Sequence, residues 1–161
     1  SVSSAEASVR IPRQGRPMPR LSLQIQADPD AGTLPADRRR IRRWVAAALE
    51  RDAELVLRFV GAAEGRELNR HYRDKDRPTN VLTFPYESEP VTRADIVVCL
   101  PVVRAEALAQ RKREIDHLAH LVVHGVLHAQ GHDHEREPQA SHMEAREVAI
   151  LHRFGIADPY A

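Results

Sequence analysis

At 161 residues the chain is long enough for one domain with a core of its own and too short to suggest two. Hydrophobic residues make up 42% but aromatic ones only 4%, so the core has to come mainly from Leu, Val, Ile and Ala. The net charge of +1 says nothing of partners by itself, but it is unevenly placed: residues 1–43 carry nine Arg against four acids, and 114–161 carry eight acids against three Arg. Of the 24 cationic side chains 22 are Arg, whose planar fork grips phosphate and stacks on bases, although a GC-rich genome enriches Arg without functional cause. The single cysteine, Cys99, excludes an internal disulfide, and no run approaches the roughly 20 apolar residues needed to cross a bilayer. With no apolar N-terminal segment to serve as a signal peptide, the expectation is a protein of the reducing cytoplasm that makes no membrane contact.

Residues 1–19 mix Ser, Arg, Pro and Gly without period and read as a disordered arm, leaving 20–161 as the folded domain. LSLQIQA (21–27) alternates like a half-buried strand. From Pro35 a helical stripe of Ile41, Trp44, Val45, Ala48 and Leu49 carries a basic back of Arg38, Arg39, Arg42 and Arg43. A second strand is expected at 54–60 and a second helix at 62–73, followed by a charged turn from Asp74 to Pro78. NVLTF (80–84) reads as a strand stopped by Pro85, and ADIVVCL (94–100) as a strand buried on both faces, with Cys99 a core residue. A helix follows Pro101, and a longer one runs from about Ile115 to Gln130. After Pro138 a capping-box candidate, Ser141 to Glu144, opens a last helix with Met143, Val148, Ile150 and Leu151, closing at Gly155. This order predicts an α+β fold: one mixed sheet of about four strands covered by helices.

The most informative stretch is HLAHLVVHGVLHAQGHDH at 117–134. His124 and His128 are four apart on a helical pattern, so at roughly 100° per residue they share one face, one turn apart. Gly131 supplies a left-handed reversal that brings His134 back, giving H-x-x-x-H-x-x-G-x-x-H. Three neutral imidazoles fill three corners around one zinc ion and leave the fourth for water, as catalytic rather than structural zinc requires. Nickel or copper suits the same donors. His117, His120 and His132 are better suited to packing or to orienting the ligands, and Asp133 either orients one or acts as a base.

These residues resemble the YbeY family of metal-dependent endoribonucleases. The match is HGVLHAQGHDH (124–134), preceded by LAHLVVHG, together with LNRHYRDKDRPTNVLTFPYE (68–87) and ADIVVC (94–99). Ala129 and Gln130 stand where the family often has apolar residues, and His132 where it often has Tyr. The resemblance implies a small α+β hydrolase with zinc on His124, His128 and His134. It implies cleavage of single-stranded RNA in ribosomal RNA maturation, at the 3′ end of the small-subunit RNA, and in ribosome quality control, with ribosomal RNA or subunits as partners. A family arginine carries over onto Arg73 as a catalytic or substrate-binding group, and Lys75 and Arg77 beside it are candidate RNA contacts. A cation there suits the charge that builds on a phosphorane.

Two other readings compete. The histidine spacing is that of metzincin peptidases, but Gly125 stands where those enzymes carry the glutamate that activates water. A ribosome-associated factor with a purely structural metal would lose its fold along with any ligand histidine. The attacking group, an activated water or the RNA 2′-hydroxyl, stays open.

Overall fold

The structure is a computed structural model that describes residues 17–73 and 79–161, apart from the Arg73 side chain. The elements are β1 (Leu21–Ala27), a 3-10 turn (Pro29–Ala31), α1 (Arg38–Ala48), β2 (Ala53–Val60), α2 (Ala62–Arg73), β3 (Val81–Glu87), β4 (Thr92–Cys99), α3 (Leu100–Gln110), α4 (Glu114–Ala129) and α5 (Gln139–His152). They form an α+β fold on one mixed sheet of order β1-β2-β4-β3, parallel across β1, β2 and β4, with β3 antiparallel at the edge.

Alternation decides what each strand faces. Leu55, Leu57 and Phe59 of β2 and Ala94, Ile96 and Val98 of β4 point to one side, where they join Ile41, Trp44 and Val45 of α1 and the apolar residues of α4. On the other side Val60, Val97 and Cys99 form a smaller cluster under Leu68 of α2 and Val102 of α3. Cys99 is therefore packed between layers, and burial pushes its thiol pKa up. The helix start at α1 comes from Asp37, whose carboxylate accepts from the Arg40 backbone N–H at 2.8 Å.

Two expectations are corrected. Pro85 does not stop β3, which continues to Glu87 with a register shift between Pro85 and Glu87. An edge strand tolerates proline because one side of its backbone has no ladder to supply. Ser141 does not cap α5: the helix already begins at Gln139, and the Ser141 hydroxyl donates to Glu137 instead. Residues 1–16 of the expected arm lie outside the described residues. No described helix is long and apolar enough to cross a membrane.

Candidate metal centre and cleft

Helix α4 is the inner helix of the molecule. From His117 to Gln130 every residue is buried except His120, His124 and His128, which recur every four residues and form its one open stripe. Gly125 lets this helix lie close to the sheet, since a Cβ there would meet Ile96 Cγ2 at 2.9 Å, with Val81 and Thr83 of β3 next nearest. The histidine stripe consequently stands beside the edge strand.

The chain then reverses as the glycine requires. The Gly131 N–H donates to His128 O and the His132 N–H to Leu127 O, a Schellman arrangement with Gly131 at φ +102°. Gln130 ties this turn to the end of α1: its amide donates to Ala48 O at 2.8 Å and its carbonyl accepts from Glu50 N at 2.6 Å. The turn delivers His134 to the stripe. Its ring centre lies 4.9 Å from that of His124 and 5.3 Å from that of His128, while His124 and His128 are 6.5 Å apart.

Three imidazoles bonded to one zinc at about 2.0–2.1 Å have ring centres about 5 Å apart. Two sides of the triangle match this, and the side along the helix is wider. Accordingly, among the described residues no three His, Cys, Asp or Glu side chains are already drawn together as a finished metal cage. The donor chemistry nevertheless fits a metal. His128 Nδ1 lies 3.2 Å from the carbonyl of His132, which can only accept, so Nδ1 carries the proton and Nε2 keeps its lone pair. His124 Nδ1 lies 2.8 Å from Glu147 Oε2 and is protonated for the same reason. The burial of its ring and the nearby His124 and His128 imidazoles hold the His134 pKa below the usual histidine range. All three can present neutral imidazole, the form a metal binds.

Glu147 was not foreseen from the sequence. It is 0% exposed, and its carboxylate also accepts from His120 Nε2 at 2.7 Å and from the Tyr160 hydroxyl. Burial by itself raises its pKa, but hydrogen bonds from His120, His124 and Tyr160 outweigh this and bring it to about 2. Burial and that carboxylate push the Tyr160 pKa up, so the phenol remains a donor. The signal was present: Glu147 shares its helical stripe with Met143, Ile150 and Leu151, where an acid is out of place.

Of the other histidines, His120 has its ring centre 6.4 Å from that of His124 and shares the Glu147 carboxylate with it, while His117 and His132 pair with other carboxylates. His117 Nε2 meets Glu106 at 2.9 Å, and His132 Nε2 meets Glu50 at 2.9 Å. Asp133 accepts from the Glu135 N–H at 2.8 Å, which makes it a turn former. The cleft that His124, His128 and His134 line has a volume of about 470 Å³, and its far wall is Val81–Phe84 of β3 with Tyr72 and Asn80. Glu135 also lines it. Tyr72 is 60% exposed and meets Phe84 edge-on at 4.8 Å. Lys75 and Arg77 lie outside the described residues, as does the side chain of Arg73, whose backbone ends α2 one residue after Tyr72.

A sequence profile described as Endoribonuclease YbeY matches residues 30–155. Curated relatives of that name include one from Methylibium petroleiphilum, 53% identical over 149 residues that cover 92% of this chain and 99% of the relative. Others come from Acidovorax sp. (strain JS42), 55% identical with 88% and 95% covered, and Bordetella pertussis, 53% identical with 87% and 96% covered. A solution structure of a Thermotoga maritima protein superposes with a TM-score of 0.54 at 24% identity, covering 83% of this chain and 91% of that one, and so supports the fold alone. Both the profile and these relatives span the cleft, the histidine helix and the glycine turn, and on that ground the chain belongs to the Endoribonuclease YbeY family.

Proposed function

We propose that this chain is a zinc-dependent endoribonuclease that cuts single-stranded RNA during ribosomal RNA maturation and ribosome quality control in the cytoplasm. The observation that carries the reading is the convergence of three imidazoles in a cleft walled by an edge strand and an exposed tyrosine. A zinc ion on His124, His128 and His134 would supply Lewis-acid charge beside a scissile phosphodiester. The chain's own residues do the rest. Helix α4 fixes two rings on a rigid scaffold, and the hydrogen bonds at His124 Nδ1 and His128 Nδ1 set which nitrogen faces the cleft. Tyr72, backed by Phe84, offers a ring face on which an unpaired base can stack, a contact that favours single strands because their bases are free. Arg73, with Lys75 and Arg77, is assigned by the family resemblance to the phosphate, Arg73 sharing the charge of the transition state.

The peptidase reading is weakened by Gly125. The glutamate that peptidases carry at this position has no room here, because even a Cβ would meet Ile96 Cγ2 at 2.9 Å.

Metal content by mass, measured beside cleavage of a single-stranded oligonucleotide in the native chain and in His128→Ala, tests the proposal. One zinc and cleavage in the native chain, with both lost in a folded His128→Ala, are expected. Cleavage that survives without metal would overturn it. Product ends then identify the attacking group: a cyclic phosphate means the 2′-hydroxyl, and 3′-hydroxyl or 5′-phosphate ends mean water.

A further inference from the structure

Glu147 is fully buried, and among the described residues its partners are two imidazoles and one phenol, with no Lys or Arg. A carboxylate in such a place is costly unless its oxygens are fully used. Holding α5 against α4 does not require it, because Met143, Ile150 and Leu151 of the same stripe do so with apolar contact. What Glu147 alone supplies is an acceptor aimed at His124 Nδ1. Tyr160 reaches the same carboxylate from the end of the chain, and its ring packs edge-on against His120 at 5.3 Å.

We propose that Glu147 is the positioning residue of the histidine centre: it holds the His124 ring with Nε2 turned into the cleft, and Tyr160 keeps the carboxylate aimed. This rests on reading His124, His128 and His134 as metal ligands. The Oε2 hydrogen bond fixes the proton on His124 Nδ1, which fixes the lone pair on Nε2 and makes that nitrogen more basic. Oε1 is held by His120 Nε2 and the Tyr160 hydroxyl, so the carboxylate cannot turn away without breaking both. The last helix and the C-terminal tail would thereby orient a histidine that could hold the metal, without themselves supplying a ligand.

The test uses the full chain and zinc alone, with affinity read by competition against a chromophoric chelator. Glu147→Gln should bind zinc about 10–100-fold more weakly, because its amide offers one acceptor where three donors converge. Tyr160→Phe, which loses only the hydroxyl, should weaken binding by less than Glu147→Gln does. Nitrogen NMR of the metal-free chain should show His124 protonated at Nδ1, and a mixture of tautomers in Glu147→Gln. A mere helix staple predicts lower thermal stability with native zinc affinity and native tautomer, and that outcome overturns the proposal. Should Glu147→Gln fail to fold, Tyr160→Phe decides, and native affinity there counts against the proposal. If the native chain takes up no zinc, the ligand reading falls instead, and the His124 tautomer still tells for or against Glu147.

Discussion

Single side chains in and around the cleft differ in what their loss should do. Arg73 is the last residue of α2, and Arg73→Ala should change thermal stability little and zinc content not at all. RNA cleavage at saturating substrate should fall by about 10²–10³, the cost of losing one donor to transition-state charge. A native rate at saturation would reduce Arg73 to a binding contact. Glu147 is the reverse case, since its carboxylate is buried and accepts hydrogen bonds from His120, His124 and Tyr160 in the folded chain. Its pKa is depressed from 4.5 to about 2, so the stability it contributes is complete above pH 4.5 and is lost as the pH falls toward 2. That shift corresponds to an effect of order 3 kcal/mol. In acid unfolding of the metal-free protein, Glu147→Gln should therefore show a flatter decline than the native chain between pH 4.5 and 2. Parallel declines would mean that the carboxylate is not held by these hydrogen bonds.

Among the elements, α4 sets the geometry of the site. Its face toward the sheet is cut back at Gly125 and its outer stripe is histidine, so the two faces are matched: close approach to β3 creates the wall that the histidines look across. Gly125→Ala gains helix propensity of about 1 kcal/mol but drives a methyl into the branched side chain of Ile96, which has no free end to yield. A net loss of up to about 2 kcal/mol is expected in chemical denaturation, since overpacking typically costs about 1–3 kcal/mol and the propensity gain offsets about 1 of it. Equal or greater stability would mean that α4 has slack against the sheet. The α4 terminus is equally constrained, because the left-handed Gly131 and the buried Gln130 amide together aim the return loop.

At the scale of the molecule, the site lies at one margin of a core that is complete without it. Trp44, Phe59, Ile96, Leu118 and Leu127 are all buried in one continuous apolar cluster, and none of them depends on the histidines. Removing metal with a chelator should leave the far-ultraviolet circular dichroism unchanged. It should lower the melting temperature only by the binding term, about 2.7 kcal/mol at a hundredfold excess of ligand over its dissociation constant. Global unfolding on chelation would instead favour the structural-metal reading.

Periodicity alone determined most of the elements, because each amphipathic stripe has one way to be buried: Ile41, Trp44, Val45 and Ala48 are all in the core, and 94–99 is part of a central strand. The spacing of His124, His128, Gly131 and His134 likewise determined that three imidazoles would line one cleft, since helix geometry and one left-handed residue suffice. The course of β3 through Pro85 was decided by its place at the sheet edge, which no local pattern encodes. Tertiary structure also decided that Glu147, 19 positions after His128 in sequence, would lie beneath the histidine stripe, and that Tyr160 would reach the same carboxylate. Those contacts depend on how α5 and the tail pack on α4, and packing between elements distant in sequence leaves only a faint mark on either: here, one acid on an apolar stripe.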